Sequence, residues 1–228
     1  MVYYIYSSLS LKKSAKKMEL SCRTIILYCY IICLVLFISS SISITKAKEE
    51  EEEEEDRSSS IISRFQEYLQ INTAQPNPKY NEAAKFILSQ AQSLSLEAQT
   101  LEFVEAKPFI LLKWSGSDPN LPSILLNSHT DVVPVEHDKW SYPPFGAHID
   151  SQGNIYARGS QDMKCVGMQY LEAIRKLKAS GFQPLRSVYL SFVPDEEIGG
   201  DAGVKKFADT HVFNNLNVGI VLDEGTFY

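Results

Sequence analysis

Four short stretches of this chain set carboxylates beside one imidazole. "LLNSHTD" carries His129 and Asp131, "YARGSQDMK" carries Asp162, "FVPDEE" carries Asp195, Glu196 and Glu197, and "IVLDEG" carries Asp223 and Glu224. Gathered at one place, such acids repel: two unit charges 4 Å apart cost roughly 4 kcal/mol at an effective dielectric of about 20. A divalent cation reverses that sign. One imidazole with several carboxylates and no thiolate suits zinc, cobalt or manganese in an open site better than a closed structural zinc site. Shared acids can also hold two ions roughly 3.5–4 Å apart, the spacing of metal-assisted hydrolysis. Taken singly, each stretch has a plainer reading. Asp162 could cap a helix, which is worth about 1 kcal/mol, and the other acids could be solvated turns. The chemistry depends on their being brought together.

The elements that must do this are legible. Ile61, Ile62, Phe65, Tyr68 and Leu69 recur at helical spacing from Ser59, and "NTAQPNP" stops that helix with two prolines. A second helix is expected from about Asn81 as its N-cap. "QTLEFV", "PFILLKW", "SILLNSH", "NIYARG", "SVYLSFV" and "VGIVLDE" read as short strands, the third, fifth and sixth of them buried. A helix is expected from Met163 to about Ser180, closed by Gly181, and a short one over "GGDAGVKKFADT". Strands alternating with helices predict an α/β fold, a largely parallel mixed sheet flanked by helices. Ligands of such sheets bind beyond the carboxyl ends of the strands, where all four acidic stretches fall.

Spacing suggests roles within the cluster. Asp131 is two residues from His129, so in extended chain both share a face and the carboxylate could fix the ring. Glu196 and Glu197 are neighbours, which extended backbone would aim apart. One could bind metal while the other takes a proton from the attacking water, and spacing does not choose between them. The remaining histidines weigh less. His137 and His148 lie in a proline-rich loop with Trp140, Tyr142 and Phe145, and His211 reads as exposed near a helix end. Cys165 reads as a buried small hydrophobe.

Composition bounds the rest. The chain has 228 residues, of which 44% are hydrophobic and 22% charged, an ordinary globular balance. Residues 1–48 read as a targeting segment: a flank containing Lys12, Lys13, Lys16, Lys17 and Arg23, then the apolar run Ile25–Ile38, then a small polar stretch ending in Thr45-Lys46-Ala47. That run is short of the roughly 20 apolar residues of a spanning helix, which favours a secretory signal peptide over a signal anchor. Either implies the secretory pathway: endoplasmic reticulum, vacuole or extracellular space, with membrane attachment if the signal is kept. Residues 49–58, opening with the run Glu49–Asp56, read as an acidic disordered linker, and residues 59–228 as the folded body. Three of the four cysteines fall in the targeting segment, so Cys165 has no partner for a disulfide within the mature chain. The body carries no basic stripe, so a nucleic-acid partner is not expected.

"SHTDVVPV", "YARGSQDMK", "PDEEIGG" and "LDEG" follow one another in the order and spacing of the dizinc aminoacylase and carboxypeptidase family, whose aminoacylase branch the chain resembles most. "FQEYLQINTAQPNP" is similar to the family's opening helix. The resemblance covers the body from about Ser59 and implies a zinc-peptidase-like catalytic domain. It implies that His129 and Glu224 bind a first zinc, Glu197 a second, and that Asp162 bridges both. Asp131 would orient His129, and Glu196 would be the general base. The reaction implied is hydrolysis of N-acyl-L-amino acids to a carboxylate and a free amino acid, with dipeptidase or carboxypeptidase action as the alternative. The family completes its second zinc site with a later histidine and inserts a lid and dimerisation domain after the "LDEG" strand. No position here matches either, so the resemblance implies a truncated chain with an incomplete second site, impaired or simply a metal-binding fragment. It implies a homodimer only where that domain is present.

Overall fold

The computed structural model describes residues 60–224. The expected targeting segment 1–48 and acidic linker 49–58 lie outside the described residues. Among the described residues no helix is long and apolar enough to cross a membrane.

A first helix, α1, occupies residues 60–70 and turns Tyr68 and Leu69 fully inward. Helix α2 spans Tyr80–Ser93. Its cap is Lys79, with no side-chain capping bond, so Asn81 lies inside the first turn and is not the expected cap. Strands β1 (Glu97–Glu102), β2 (Pro108–Trp114) and β3 (Ser123–His129) follow. The two-residue strands β4 (His148–Ile149) and β5 (Ile155–Tyr156) form a separate hairpin. Helix α3 (Lys164–Ala179), strand β6 (Val188–Val193), the short helices α4 (Val204–Ala208) and α5 (His211–Asn215), and strand β7 (Val218–Leu222) complete the described chain.

The main sheet has the order β1-β2-β6-β3-β7. β6, β3 and β7 run parallel, while β2 and β1 extend the sheet antiparallel beyond β6. The sheet is therefore mixed, with its parallel part where the acids fall. Burial on both faces explains why β2 is apolar from Pro108 to Leu112. Ile110, Leu112 and Trp114 join Ala83, Phe86 and Ile87 of α2 and Met168, Leu171 and Ile174 of α3 in one core. Phe109 and Leu111 face the other way, against Phe207 and Leu216. Helices thus cover both faces. β7 departs from expectation. It is the edge strand, and Ile220, Val221 and Leu222 are 53%, 49% and 46% exposed, so its apolar run reflects no buried position here.

Lys164, the first residue of α3, is wholly buried. Its Nζ donates to the carbonyls of Tyr68 (3.1 Å) and Ile71 (2.6 Å) and stands 4.8 Å from the centre of the Tyr68 ring. It therefore satisfies the Ile71 carbonyl just beyond α1 and adds a second donor to the Tyr68 carbonyl, which already accepts from the Ile71 N–H (3.3 Å). Burial pulls its pKa down to about 7, and the neutral amine still has the two N–H groups that this needs. Lys164→Met keeps the bulk and strands the Ile71 carbonyl, which is expected to cost roughly 2 kcal/mol. Urea denaturation measures it; unchanged stability would show that the lysine caps nothing.

Candidate metal centre

The parallel register decides where the acids meet. His129 ends β3 opposite Val193, the last residue of β6, so the turn "PDEE" begins beside the imidazole. Leu222 of β7 pairs with Leu126, which brings Asp223 and Glu224 to the same edge. Asp162 arrives from the segment that precedes α3.

His129 is 1% exposed. Its Nδ1 lies 2.8 Å from the main-chain oxygen of Asp131. A carbonyl only accepts, so Nδ1 carries the proton and Nε2 is turned to the acids. From Nε2 the nearest carboxylate oxygens of Asp162, Glu224 and Glu196 lie at 3.0, 3.6 and 3.8 Å. Donor atoms of His129, Asp162 and Glu224 all fall within 4.8 Å of one another, a set that could hold a metal ion. Among the described residues, the ion-pair partner of Asp162, Glu196 and Glu224 is His129 alone, with no lysine or arginine in reach. The crowding is visible in the ionisation of Glu224. Burial first, then the neighbouring Asp162 and Glu196, push its pKa up to about 7 against the pull of His129. Burial and then Asp162 likewise raise that of Glu197. Burial opposes a charge on His129, yet the surrounding carboxylates, Asp131 first, raise its pKa overall.

Two expected geometries are corrected. The Asp131 carboxylate lies beside the ring, 3.6 Å from Nδ1, but the hydrogen bond that holds His129 is made by the Asp131 main-chain oxygen instead. The fully buried Asp131 carboxylate turns to the next loop. There Oδ1 accepts from the Glu196 N–H (3.1 Å) and Oδ2 from the Glu197 N–H (3.3 Å). Glu196 and Glu197 are not extended either. They open a short 3-10 helix, Glu196–Ile198, and the turn is what separates them. Glu196 faces His129, whereas Glu197 Oε1 accepts from the N–H of Val133 at 3.2 Å and stays outside the three-residue set.

Several residues around the site carried no sequence signal of their own. Ser191 donates to Asn127, whose amide donates to both oxygens of Asp223 (3.0 and 3.1 Å), and Asp223 accepts from the Glu224 N–H. That chain fixes the backbone leading to Glu224. A polar Asn127 inside a buried strand, two residues before His129, was the available hint. Asp195, to which the motif gave no role, is buried with φ +59°. Its Oδ2 accepts from Ala202 N–H (2.8 Å) and Lys107 (3.3 Å).

The other histidines stay apart. His137 opens an exposed 3-10 turn, His137–Lys139, His148 stacks on Tyr142 with ring centres 3.8 Å apart, and the exposed His211 opens α5. Cys165 is half-buried, not fully buried, and donates to the Gln161 carbonyl. A cavity of about 380 Å³ lined by residues including Leu111, Lys113, Tyr189 and Leu216 shares no residue with the carboxylate cluster.

Residues 125–226, from β3 past Glu224, match peptidase family M20/M25/M40. The chain is 50% identical to aminoacylase-1 of Mus musculus over 164 residues and 49% identical to aminoacylase-1 of Homo sapiens over the same length. Both alignments cover 72% of this chain and 40% of the relative, so the chain spans about two fifths of the curated relatives it matches. Its fold superposes on the M20 family metallo-carboxypeptidase Sso-CP2 of Sulfolobus solfataricus with a TM-score of 0.64 at 25% identity, covering 73% of this chain and 37% of the other.

Proposed function

We propose that the protein hydrolyses the amide bond of N-acyl-L-amino acids with the help of zinc. The observation that carries this is the convergence of His129, Asp162 and Glu224, with Glu196 beside them and, among the described residues, no lysine or arginine paired with the acids. One buried imidazole and two carboxylates form a donor set suited to zinc, cobalt or manganese. When bound, the ion supplies a Lewis acid that polarises the acyl carbonyl.

The protein's own groups do the rest. Glu196, 42% exposed at the cluster, takes a proton from the attacking water as its oxygen bonds to the acyl carbon. Glu196 then returns that proton to the nitrogen as the C–N bond breaks, leaving a carboxylate and a free amino acid. Asp131 holds His129 through its main-chain oxygen and holds the Glu196 turn through its carboxylate. By the family resemblance, Asp162 and Glu197 would hold a second zinc, and a homodimeric assembly belongs to this proposal on the same ground. Secretory routing rests on the basic flank and the apolar run Ile25–Ile38.

Zinc-loaded protein is expected to release methionine from N-acetyl-L-methionine and to stop when a chelator removes the metal. Faster cleavage of dipeptides would favour the peptidase reading. Metal binding without turnover of either substrate class would reduce the chain to a metal-binding protein. Glu196→Gln is expected to lower kcat by roughly 10²–10⁴ with metal content unchanged. Full turnover in that variant would remove Glu196 from the mechanism.

A further inference from the structure

The turn that carries both glutamates is gripped from a segment outside the family match. Residues 73–75 run beside the end of β3: Ala74 bridges to Val132, Val132 N–H donates to the Thr73 carbonyl (3.1 Å), and Gln75 N–H donates to the Val132 carbonyl (3.1 Å). This lashing places the Gln75 amide between two acceptors. Its Nε2 donates to Asp131 Oδ2 at 2.9 Å and to the Tyr80 hydroxyl oxygen at 3.0 Å. Those same two acceptors take the three successive N–H groups of the turn. Asp195 N–H donates to Tyr80 at 2.9 Å, and Glu196 and Glu197 donate to Asp131.

We propose that Gln75 and Tyr80 are positioning residues for the Glu196 turn, fixing where its carboxylates can reach; this rests on Glu196 being the base. The reason is geometric. Asp195 has a left-handed backbone, φ +59°, a conformation that an L-residue holds only when its surroundings impose it. With three consecutive amides anchored, the Glu196 carboxylate can move only by its own side-chain torsions. Placement errors of about 1 Å can cost a factor of roughly 10² in rate, so the anchors matter to the chemistry without touching substrate. Neither residue supplies an atom to the His129, Asp162 and Glu224 set, so metal binding and base placement separate experimentally.

Tyr80→Phe deletes one hydroxyl and keeps the ring, and Gln75→Met keeps the length while removing the amide. Both are tested in the full chain with zinc by hydrogen exchange, zinc calorimetry and kinetics on N-acetyl-L-methionine. Exchange at the amides of residues 195–197 is expected to quicken roughly tenfold, as loss of one hydrogen bond implies, while β3 and β6 amides stay unchanged. Zinc affinity is expected to stay within about twofold because every ligand is retained. In the same variants kcat falls and KM holds. Unchanged exchange at 195–197, or equal acceleration across β3 and β6, overturns the proposal, and so does an unchanged kcat. If the parent chain binds no zinc, or Glu196→Gln keeps its turnover, the hydrolase reading fails instead; the exchange measurement still decides whether the turn is gripped.

Discussion

His129→Ala is expected to weaken zinc binding at least about a hundredfold, roughly 2.7 kcal/mol. The imidazole is the one neutral donor of the set, and its tautomer is already fixed by the Asp131 carbonyl. Its loss removes a preoriented ligand and leaves two partly exposed carboxylates, Asp162 and Glu224, to hold the ion alone. Calorimetry against a competing chelator measures the change. The exposed His137→Ala is the control and should bind as the parent does. A loss of less than about threefold for His129→Ala would place the ion elsewhere.

Gly167→Ala is expected to destabilise the fold by about 1–3 kcal/mol, although alanine is the better helix former by about 1 kcal/mol. A Cβ at this position would lie 2.8 Å from both Phe192 Cε1 and Ser128 Oγ. Phe192 and Ser128 are paired residues of β6 and β3, each one residue before the strand ends that bear Val193 and His129. The added methyl group therefore pushes α3 away from the strands just below the site. Thermal unfolding should show a lower Tm, and zinc affinity should fall as well. A Tm equal to or above the parent's would show that α3 shifts freely and that close helix–strand approach is not required.

Local patterns made most of the fold readable. "PFILLKW" and "SILLNSH" became β2 and β3 over their full lengths, because apolar runs bounded by turn residues have few other uses. Gly181 stands at φ +76° just beyond α3, where a left-handed residue was expected. The failures are equally local in cause. The "VGIVLDE" strand read as buried because periodicity reports composition, not which neighbours arrive; among the described residues nothing covers its outer edge. Asn81 read as a cap because its type suits one, yet the helix is capped two residues earlier, at Lys79.

At the site, the types and order of His129, Asp162, Glu196, Glu197 and Glu224 could be seen in the sequence, and the parallel register explains why His129, Glu196 and Glu224 meet at one edge. The orientation of Asp131 could not be seen. Choosing between its carbonyl and its carboxylate as the partner of His129 depends on where the next loop places its amides, some 65 residues later in the chain. Gln75 and Tyr80 were hidden for the same reason: a glutamine and a tyrosine flanking a proline turn have no distinctive spacing.

The exposed edge strand gives the site a thermodynamic consequence. β7 is half of a clasp, because Glu224 lies two residues beyond its end while His129 ends its neighbour β3. An ion held by both would cross-link the outermost strand to the strand inside it. By linkage, whatever strengthens that hold must also slow fraying of the edge, by RT ln(1 + [ion]/Kd). Amide exchange in β7 should therefore slow with added zinc and respond little in β1 at the opposite edge; equal protection at both edges would mean that the ion stabilises the fold without fastening this strand.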